Sequence, residues 1–465
     1  MSQTSSDRPG WAWWGARPAG ELPLRHAVRI LRAAAPLEEV VFSGGRPLDR
    51  ALRHYQAEHP KMGRTDRLLL GTALYGLARN RELLRCVLPD ALPGDGEHLI
   101  LAFLDARGED PGKVAHLPGG PLVWVQRLEA ADSLRRRWTA TLEASWKAPP
   151  TGLPRAVSEA LEGLLGVPAW WLREGPWGTI GEAVRELAKL KRPQNLILRA
   201  QPATPEGRAG ALAGLRDLGV PCRPTRRSPW GIVVDGRHNV LGSAPYREGR
   251  IEVQDEGSQL VVCLCDPKPG ERVLDYCAGG GGKALALGAA MGGRGTVVAT
   301  DAAPRRLEDV RRRARRGGLG NIRVLRDPSA AAGEGPYDLV LVDAPCSSTG
   351  TLRRNPDVAW RWTEADVGRL TALQAEILDT AGALVRPGGH LVYATCSLLE
   401  PENGAQARGF LERFPGFRPA PPGDRAGHAP LADVPGADGG AFRLPADLPR
   451  YDGDAFFLAR FRREA

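Results

Sequence analysis

The chain has few cysteines, and they are not spaced as a metal site or a disulfide framework requires. Its 465 residues contain 7 cysteines, an odd number, with no CxxC pair among them. Scattered cysteines of this kind argue against zinc sites and against small disulfide-stapled folds. We therefore expect no metal site and a reducing compartment, the cytoplasm.

Long apolar runs are also missing. No run reaches the roughly 20 residues that a membrane-spanning helix needs, and residues 1–20 lack a basic stretch followed by an apolar one. These absences argue against a membrane protein and against a secreted one. With 42% hydrophobic and 25% charged residues the composition is that of a globular protein, and the length predicts two or three domains.

The charge balance is positive. The chain carries a net charge of +9 and has a pI near 9.4, and the commonest acidic partner of a basic soluble protein is nucleic acid. Arginine runs at 135–137 and 311–316 suit phosphate because the guanidinium is planar. Each run alone is more often a solvated helix face, so the expectation of an RNA partner rests on the net positive charge of the whole chain.

Four segments follow one another along the chain: a flexible N-terminus at 1–21, a helical domain at 22–145, a small α+β domain at 155–250 and an α/β domain at 251–465. The helical domain is predicted from RTDRLLLGTALYGLARNRELL, where Leu70, Ala73, Leu74 and Leu77 recur at helix spacing after a Thr65 cap. In the α+β domain two predicted strands flank a capped helix, and Arg199 is expected at the end of the first strand, facing RNA or exposed in a turn.

The last segment alternates apolar strands with helices. Strands buried on both faces and separated by helices predict a doubly wound parallel sheet. The proline-, glycine- and alanine-rich stretch from Pro419 to Gly440 is expected to be an irregular insertion.

A glycine-rich turn follows the first strand of this segment. The strand ends at Cys277, four glycines follow, and a helix begins near Lys283. Backbone without side chains is therefore accessible to a ligand at the helix N-terminus. The turn lacks the GKS or GKT ending of a phosphate loop, and the next strand ends at Asp301, which suits ribose hydroxyls. A third strand ends near Asp327, which either accepts from an adenine amino group or caps a turn. These strand ends predict S-adenosylmethionine or NAD.

Two cysteines follow two later strands. Cys346 lies in DAPCSSTG and Cys396 in YATCS, 50 positions apart. Because the carboxyl ends of parallel strands meet at one edge of a sheet, we expect both thiols and Asp343 at one site. A single cysteine of this kind is more often a small core residue, and a single aspartate here a turn residue. All three together are less easily explained in that way.

One acid and two thiols suit the methylation of a pyrimidine at carbon 5. A thiolate that adds to carbon 6 makes carbon 5 nucleophilic toward a methyl donor. The acid acts near ring nitrogen 3, and a second group removes the carbon 5 proton so that the thiolate can leave. This chemistry favours S-adenosylmethionine over NAD.

At these positions the chain resembles the RNA cytosine carbon-5 methyltransferases of the Sun family, closest to the bacterial small-subunit (16S) rRNA methyltransferase B type. The matching stretches are VQDEGSQL, CAGGGGK, ATDAAPRRL, DAPCSSTGTLRRNPDVAW, LQAEIL, YATCSLLEPENG and DAFFLARFRR. The resemblance implies a Rossmann-like class I methyltransferase domain, preceded by an antitermination-factor-like RNA-binding domain and a small RNA-recognition-like domain.

The resemblance also implies roles for individual residues. Cys396 is the implied nucleophile, Cys346 assists product release, and Asp343 holds the base edge. The implied cofactor is S-adenosyl-L-methionine. Its implied contacts are Cys277, Ala278, Gly279, Gly280, Gly281, Gly282, Lys283, Asp301, Arg306, Asp327 and Asp343.

One stretch departs from the family pattern. The family loop usually reads C-A-A-P-G-G-K, whereas Gly279 and Gly280 stand here in place of alanine and proline. Each glycine adds backbone freedom worth about 1 kcal/mol, so we expect a weaker hold on the cofactor with all hydrogen-bonding groups intact.

The expected function is methylation of carbon 5 of a cytosine in structured RNA, with small-subunit rRNA as the first expectation and a monomer as the expected state. A tRNA methyltransferase is the nearest alternative, because the catalytic motifs report the base and not the RNA that presents it. A non-catalytic RNA-binding factor of ribosome assembly is the alternative from another class.

Overall fold

The structure, a computed structural model, describes residues 24–43, 47–88, 96–107, 121–236, 238–423 and 426–465. The predicted flexible N-terminus, 1–21, lies outside them. The chain divides into two compact units, Met1–Gln194 with Thr351–Thr363 and Asn195–Gly350 with Glu364–Ala465. Among the described residues, none of the helices combines the length and hydropathy of a bilayer-spanning segment.

The first unit is helical in its described part. All of the predicted apolar positions of its central helix are buried: Leu70, Ala73, Leu74 and Leu77. The predicted Thr65 cap is wrong, because the helix already begins at Arg64. Gly63 takes the cap position, and no side chain there accepts a hydrogen bond. The described helices are Leu24–Ala33, Pro36–Ser43, Leu48–Glu58, Arg64–Arg79, Arg81–Val87, Glu97–Arg107, Pro121–Ala144, Arg155–Leu165, Trp170–Glu174, Ile180–Lys191 and Val358–Arg361.

The boundary between the units differs from the predicted one. The small α+β domain is predicted to begin at 155, but the helix Arg155–Leu165 belongs to the first unit. It packs on the helix Pro121–Ala144, where Gly163 lies so close to Trp138 that a Cβ would be 2.2 Å from a ring carbon. Glycine permits this close approach. Because the helix belongs to the first unit, the α+β part starts only at the strand Leu196–Ala200.

The second unit begins with a small antiparallel sheet. Strands β1 (Leu196–Ala200), β2 (Cys222–Pro224), β3 (Gly231–Val234) and β4 (Ile251–Val253) are ordered β2-β3-β1-β4. Thr204 caps the helix Pro205–Arg216 by accepting from the Gly207 N–H. Arg199 is neither exposed nor in a turn: it lies inside β1 and is fully buried, because the side chains of Gln254 and Gln201 accept its hydrogen bonds.

The described remainder of this unit forms an eight-stranded sheet, ordered β10-β12-β9-β8-β5-β6-β7 with β11 on β12. The strands are β5 (Arg272–Asp275), β6 (Thr296–Ala299), β7 (Ile322–Val324), β8 (Tyr337–Asp343), β9 (Val385–Thr395), β10 (Phe417–Pro419), β11 (Ala441–Leu444) and β12 (Phe456–Arg463). The helices are Ala244–Arg247, Glu256–Cys265, Gly282–Ala290, Leu307–Arg316, Ala331–Glu334, Glu364–Leu384 and Gly404–Arg413.

Strands β5 to β9 are parallel to one another, whereas every pairing of β10, β11 and β12 is antiparallel, including that of β12 with β9. Neighbouring residues of β5 enter two separate apolar cores, Val273 one and Leu274 the other, so both faces of the sheet are covered. The predicted α/β class and Rossmann-like methyltransferase fold are confirmed. The antiparallel pairings of β10, β11 and β12 differ from the predicted parallel sheet.

Candidate active site

The two predicted cysteines meet at the edge of the large sheet. Strands β8 and β9 are parallel neighbours with Asp343 opposite Ala394, so the loops that follow them leave the sheet side by side. The sulfur atoms of Cys346 and Cys396 lie 3.6 Å apart, and both side chains are partly exposed. The thiols are therefore in contact with each other and open to a substrate.

The loop after β8 is closely fitted to the loop after β9. The Gly350 N–H donates to the Cys396 carbonyl oxygen at 2.9 Å. A Cβ on Gly350 would lie 2.3 Å from the Ala455 carbonyl oxygen, so glycine is needed for this approach. Ser348 has a φ of 59°, in the left-handed region that is strained for a residue with a side chain. Such strain is typical of functional loops.

A buried carboxylate joins the two cysteine loops. Glu402 Oε1 accepts from the Ser347 N–H at 2.9 Å and from Gln374 Nε2 at 3.0 Å. Its Oε2 accepts from the hydroxyl groups of Ser347 and Ser397, each at 2.5 Å. Each of these serines directly follows one of the cysteines, so one fully buried side chain sets the spacing of both loops.

Glu402 is absent from the predicted site. The signal that points to it is a serine directly after each cysteine together with an acid six positions beyond Cys396. Two hydroxyls at one sheet edge need a buried acceptor, and a carboxylate can accept from both at once.

Replacing Glu402 by glutamine should destabilise the fold by about 2–4 kcal/mol, because the amide cannot accept four hydrogen bonds and leaves buried donors unpaired. Urea denaturation measures this as a lower unfolding midpoint. Glu412→Gln, exposed on the helix Gly404–Arg413, is the control and should change the free energy of unfolding by less than about 0.5 kcal/mol. Equal stability of both variants would contradict the role given to Glu402.

Their surroundings make the two thiols unequal. A hydrogen bond from Cys346 is the largest cause of the lowered pKa of Cys396, and a hydrogen bond from Ser348 and the charge of Lys283 lower it further. Burial and the charge of Asp343 act in the opposite direction. The same hydrogen bond raises the pKa of Cys346, and burial and the Glu402 carboxylate raise it too. Cys396 is therefore the thiol that ionises first, and Cys346 keeps its proton.

Lys283 forms an internal ion pair beside the thiols. Its Nζ lies 2.6 Å from Asp343 Oδ2 and 3.5 Å from Ser258 Oγ. Burial lowers the pKa of Lys283, but the charge and hydrogen bond of Asp343 outweigh it and the pKa is raised. Asp343 thus stands at the site as a paired carboxylate, and Lys283 as a cation.

Asp275 is a second acid outside the predicted set. It ends β5, is fully buried, and its pKa is raised to about 8 by burial above all, together with the charges of Asp343 and Asp301. Burial thus favours the neutral form of the Asp275 carboxyl group, whereas the charge of Lys283 favours the ionised form. In the sequence it reads as the last residue of a strand, and no separate motif marks it.

The glycine turn lies between β5 and the helix Gly282–Ala290, with Gly279 and Gly281 buried and Gly280 partly exposed. Gly279 and Gly281 have φ values of 55° and 81°, which favour glycine. A Cβ on Gly281 would lie 2.7 Å from a methyl group of Val310. The turn therefore depends on glycine at both positions.

The acids predicted to meet a nucleoside lie at the ends of β6 and β7. Asp301 accepts from the backbone N–H groups of Gly279 and Ala303, both at 2.8 Å, and Arg306 lies 3.3 Å from it. Asp327 is exposed and accepts from the Ser329 N–H at 2.9 Å, and hydrogen bonds from the Ser329 side chain and backbone lower its pKa. Within the described part of the chain Asp327 forms no hydrogen bond to the other predicted site residues.

The predicted residues thus fall into two groups, and Asp327 belongs to neither. Cys346, Cys396, Asp343 and Lys283 form the thiol group. The glycine turn forms the second group with Asp301 and Arg306, and it begins at Cys277, whose pKa is raised by burial. No group of three or more His, Cys, Asp or Glu side chains in the described ranges is arranged to hold a metal ion.

Comparison with known proteins finds a family that is similar to the part of the chain that holds this site. Residues 262–462 match the family model described as 16S rRNA methyltransferase RsmB/F. Over these residues, which are less than half of the chain, the protein is similar to the RsmB/F family. Both cysteines, the ion pair and the glycine turn lie inside the matched range.

Relatives of this family extend the likeness beyond the large sheet. Ribosomal RNA small subunit methyltransferase B of Cronobacter sakazakii is 29% identical over 409 residues, which cover 84% of this chain and 92% of that protein. The protein of the same name from Salmonella arizonae is 38% identical over 211 residues, 45% of this chain and 49% of the relative. The match with this relative spans about half of its length.

A solved structure supports the fold. A methyltransferase homologue from Pyrococcus horikoshii superposes with a TM-score of 0.55 and 25% identity, and the match covers 67% of this chain and all of that one. The match to the RsmB/F family model and the observed class I architecture therefore agree.

Proposed function

We propose that this protein is an S-adenosylmethionine-dependent methyltransferase that modifies carbon 5 of a cytosine in RNA, with small-subunit rRNA as its substrate. The observation that carries the proposal is the pair of thiols 3.6 Å apart, of which Cys396 has the lower pKa and Cys346 the higher. The match of residues 262–462 to the RsmB/F family model supports methyl transfer to rRNA, and the net charge of +9 supports an RNA partner.

The residues of the glycine turn fit the proposed cofactor. Residues 279–282 offer backbone without side chains at the start of a helix, and Asp301 stands beside them with oxygen atoms that can also accept from ribose hydroxyls. Asp327 offers an exposed carboxylate for an adenine amino group. When bound, S-adenosylmethionine supplies an electrophilic methyl group.

Bond formation begins at Cys396. Its thiolate adds to carbon 6 of the cytosine, a C–S bond forms, and the electron pair of the ring double bond makes carbon 5 nucleophilic. Lys283 stabilises the thiolate before this step, and Asp343 can accept a hydrogen bond from the cytosine amino group. With the cofactor bound, carbon 5, still carrying its proton, would receive the methyl group as the methyl–sulfur bond breaks, and S-adenosylhomocysteine would be the leaving group.

Release requires a base, and Cys346 can supply it. Once Cys396 is bonded to carbon 6, it no longer accepts the hydrogen bond that is the largest cause of the raised pKa of Cys346. Cys346 can then lose its proton to solvent and take the carbon 5 proton. The electrons of that C–H bond re-form the ring double bond, the C–S bond breaks, and Cys396 leaves as a thiolate.

Release of tritium from RNA that carries [5-³H]cytosine tests the proposal with the full chain. Methylation at carbon 5 should release one tritium into water for each methyl group incorporated, because that proton must leave. Small-subunit rRNA, tRNA and assembling ribosomal particles serve as parallel substrates. We expect rRNA, free or in a particle, to be methylated at least about tenfold faster than tRNA.

Each failure has its own meaning. Methyl incorporation without tritium release would place the modification at another atom. Faster reaction of tRNA would overturn the rRNA assignment and leave the chemistry intact. Binding of rRNA with neither cofactor binding nor methylation would identify a non-catalytic RNA-binding factor.

A further inference from the structure

The glycine turn after β5 has little restraint of its own. Its four consecutive glycines, 279–282, have the largest backbone freedom of any residue type and no side chains to restrain it. One backbone hydrogen bond, from the Gly281 N–H to the Ala278 carbonyl oxygen at 2.8 Å, closes the turn, and groups from other segments supply further restraint.

Two side chains from other segments bind carbonyl groups of the turn. Arg313, on the helix Leu307–Arg316, donates through Nη1 to the Gly280 carbonyl oxygen at 2.5 Å. Gln254, directly after β4, donates through Nε2 to the Gly282 carbonyl oxygen at 3.0 Å. The middle and the end of the turn are thus each fixed from outside.

Both of these side chains are anchored on the small antiparallel sheet. Arg313 donates through Nε and Nη2 to Glu252 Oε2, at 3.2 and 3.1 Å. Gln254 Oε1 accepts from Arg199 Nε at 2.7 Å. Arg199 and Glu252 are register partners on β1 and β4, and both are buried. The sheet therefore reaches the glycine turn along two separate routes.

This arrangement is better suited to fixing geometry than to stabilising a fold. Burial lowers the pKa of Arg199 to about 10, which still leaves a charge inside the protein at neutral pH. A buried charged network of this kind often stabilises a protein no more than apolar residues of equal volume. Its directional hydrogen bonds do, however, hold their partners in one orientation.

We propose that the small antiparallel sheet braces the cofactor turn, with Arg313 and Gln254 as positioning residues for S-adenosylmethionine binding. This inference rests on the function proposed above. The two side chains order the turn before the cofactor arrives, so less conformational freedom is lost on binding. By linkage, the bound cofactor holds the turn and the sheet together more firmly.

Calorimetric titration of the full chain with S-adenosylmethionine tests the brace. Arg313→Gln removes the charge and the bond to Gly280, and should raise the Kd by about tenfold or more. Arg315→Gln, exposed on the same helix, is the matched control and should change the Kd by less than about twofold. Arg313→Lys keeps the charge without the fork and should fall between them.

A rescue variant separates positioning from general damage. Gly280 lies outside the left-handed region, and the nearest atom to a Cβ there is Arg313 Nη1 at 3.8 Å. Adding Gly280→Ala to Arg313→Gln should recover about two- to fivefold in affinity, since the stiffer turn has fewer conformations to lose. Amide hydrogen exchange in the turn should rise in Arg313→Gln and fall again in the double variant.

The outcomes are distinguishable. Wild-type affinity in Arg313→Gln, or equal losses in Arg313→Gln and Arg315→Gln, would overturn the brace and leave the proposed function standing. Loss of affinity without recovery by Gly280→Ala would assign Arg313 a merely structural role and overturn its positioning role. A wild-type chain that does not bind S-adenosylmethionine would overturn the proposed function itself.

Discussion

Replacing Cys396 by serine is expected to slow RNA methylation by about three orders of magnitude or more. A serine hydroxyl does not ionise at neutral pH, whereas the Cys346 hydrogen bond and the Lys283 charge lower the pKa of the Cys396 thiol. Serine is close to cysteine in size, so the loop after β9 should keep its form. Initial rates of methyl transfer to RNA at saturating cofactor measure the effect.

The control for this variant is Cys86→Ser. Cys86 is an exposed cysteine on the helix Arg81–Val87 and should be replaceable with full activity. A Cys396→Ser variant that binds cofactor normally and keeps more than about a tenth of the wild-type rate would show that another group attacks the base.

Replacing Cys346 by alanine should trap the enzyme on its RNA. The variant loses the Cys346 hydrogen bond that lowers the pKa of Cys396, so addition at carbon 6 should be slower, but the Ser348 hydrogen bond and the Lys283 charge still lower this pKa. No thiol remains to take the carbon 5 proton. Elimination then stalls, and a covalent protein–RNA complex should accumulate to a large fraction of the enzyme present. A denaturing gel resolves it as a band that nuclease removes.

The double variant Cys346→Ala with Cys396→Ala provides the control, because it lacks the thiol that forms the bond. It should give no complex under the same conditions. A complex that forms in Cys396→Ala and not in Cys346→Ala would reverse the two roles.

The main features of the thiol site were predictable from the sequence because they follow from strand direction. Cys346 and Cys396 each come directly after an apolar run, and parallel strands bring such positions to one edge whatever their separation along the chain. The glycine turn and Asp301 follow from the same rule. Local pattern and sheet topology agree at these positions.

Side chains that act across the fold were not predictable in the same way. Glu402 joins two serines brought together only by the neighbouring strands β8 and β9. Arg199 looks like an exposed arginine, and its burial depends on partners as distant as Gln254. A buried polar residue is recognisable only with its partners, and these are set by tertiary structure.

The glycine turn is a further case in which contacts from distant segments could not be predicted from the sequence. The glycines at 279 and 280 predict a loose cofactor loop, since local freedom is all that a sequence pattern reports. In the structure Arg313, held by Glu252, binds the Gly280 carbonyl oxygen. The restraint comes from a different sheet, and no local motif carries it.

The central claim is that Cys396 forms a covalent bond to carbon 6 of a cytosine that is then methylated at carbon 5. RNA that contains 5-fluorocytosine tests it most directly, because fluorine cannot leave as the proton does and the wild-type enzyme should stall after methyl transfer. Mass spectrometry of the digested complex should find one nucleotide, bearing one added methyl group, on the peptide that contains Cys396. A nucleotide on Cys346, or turnover with no covalent complex, would contradict the account.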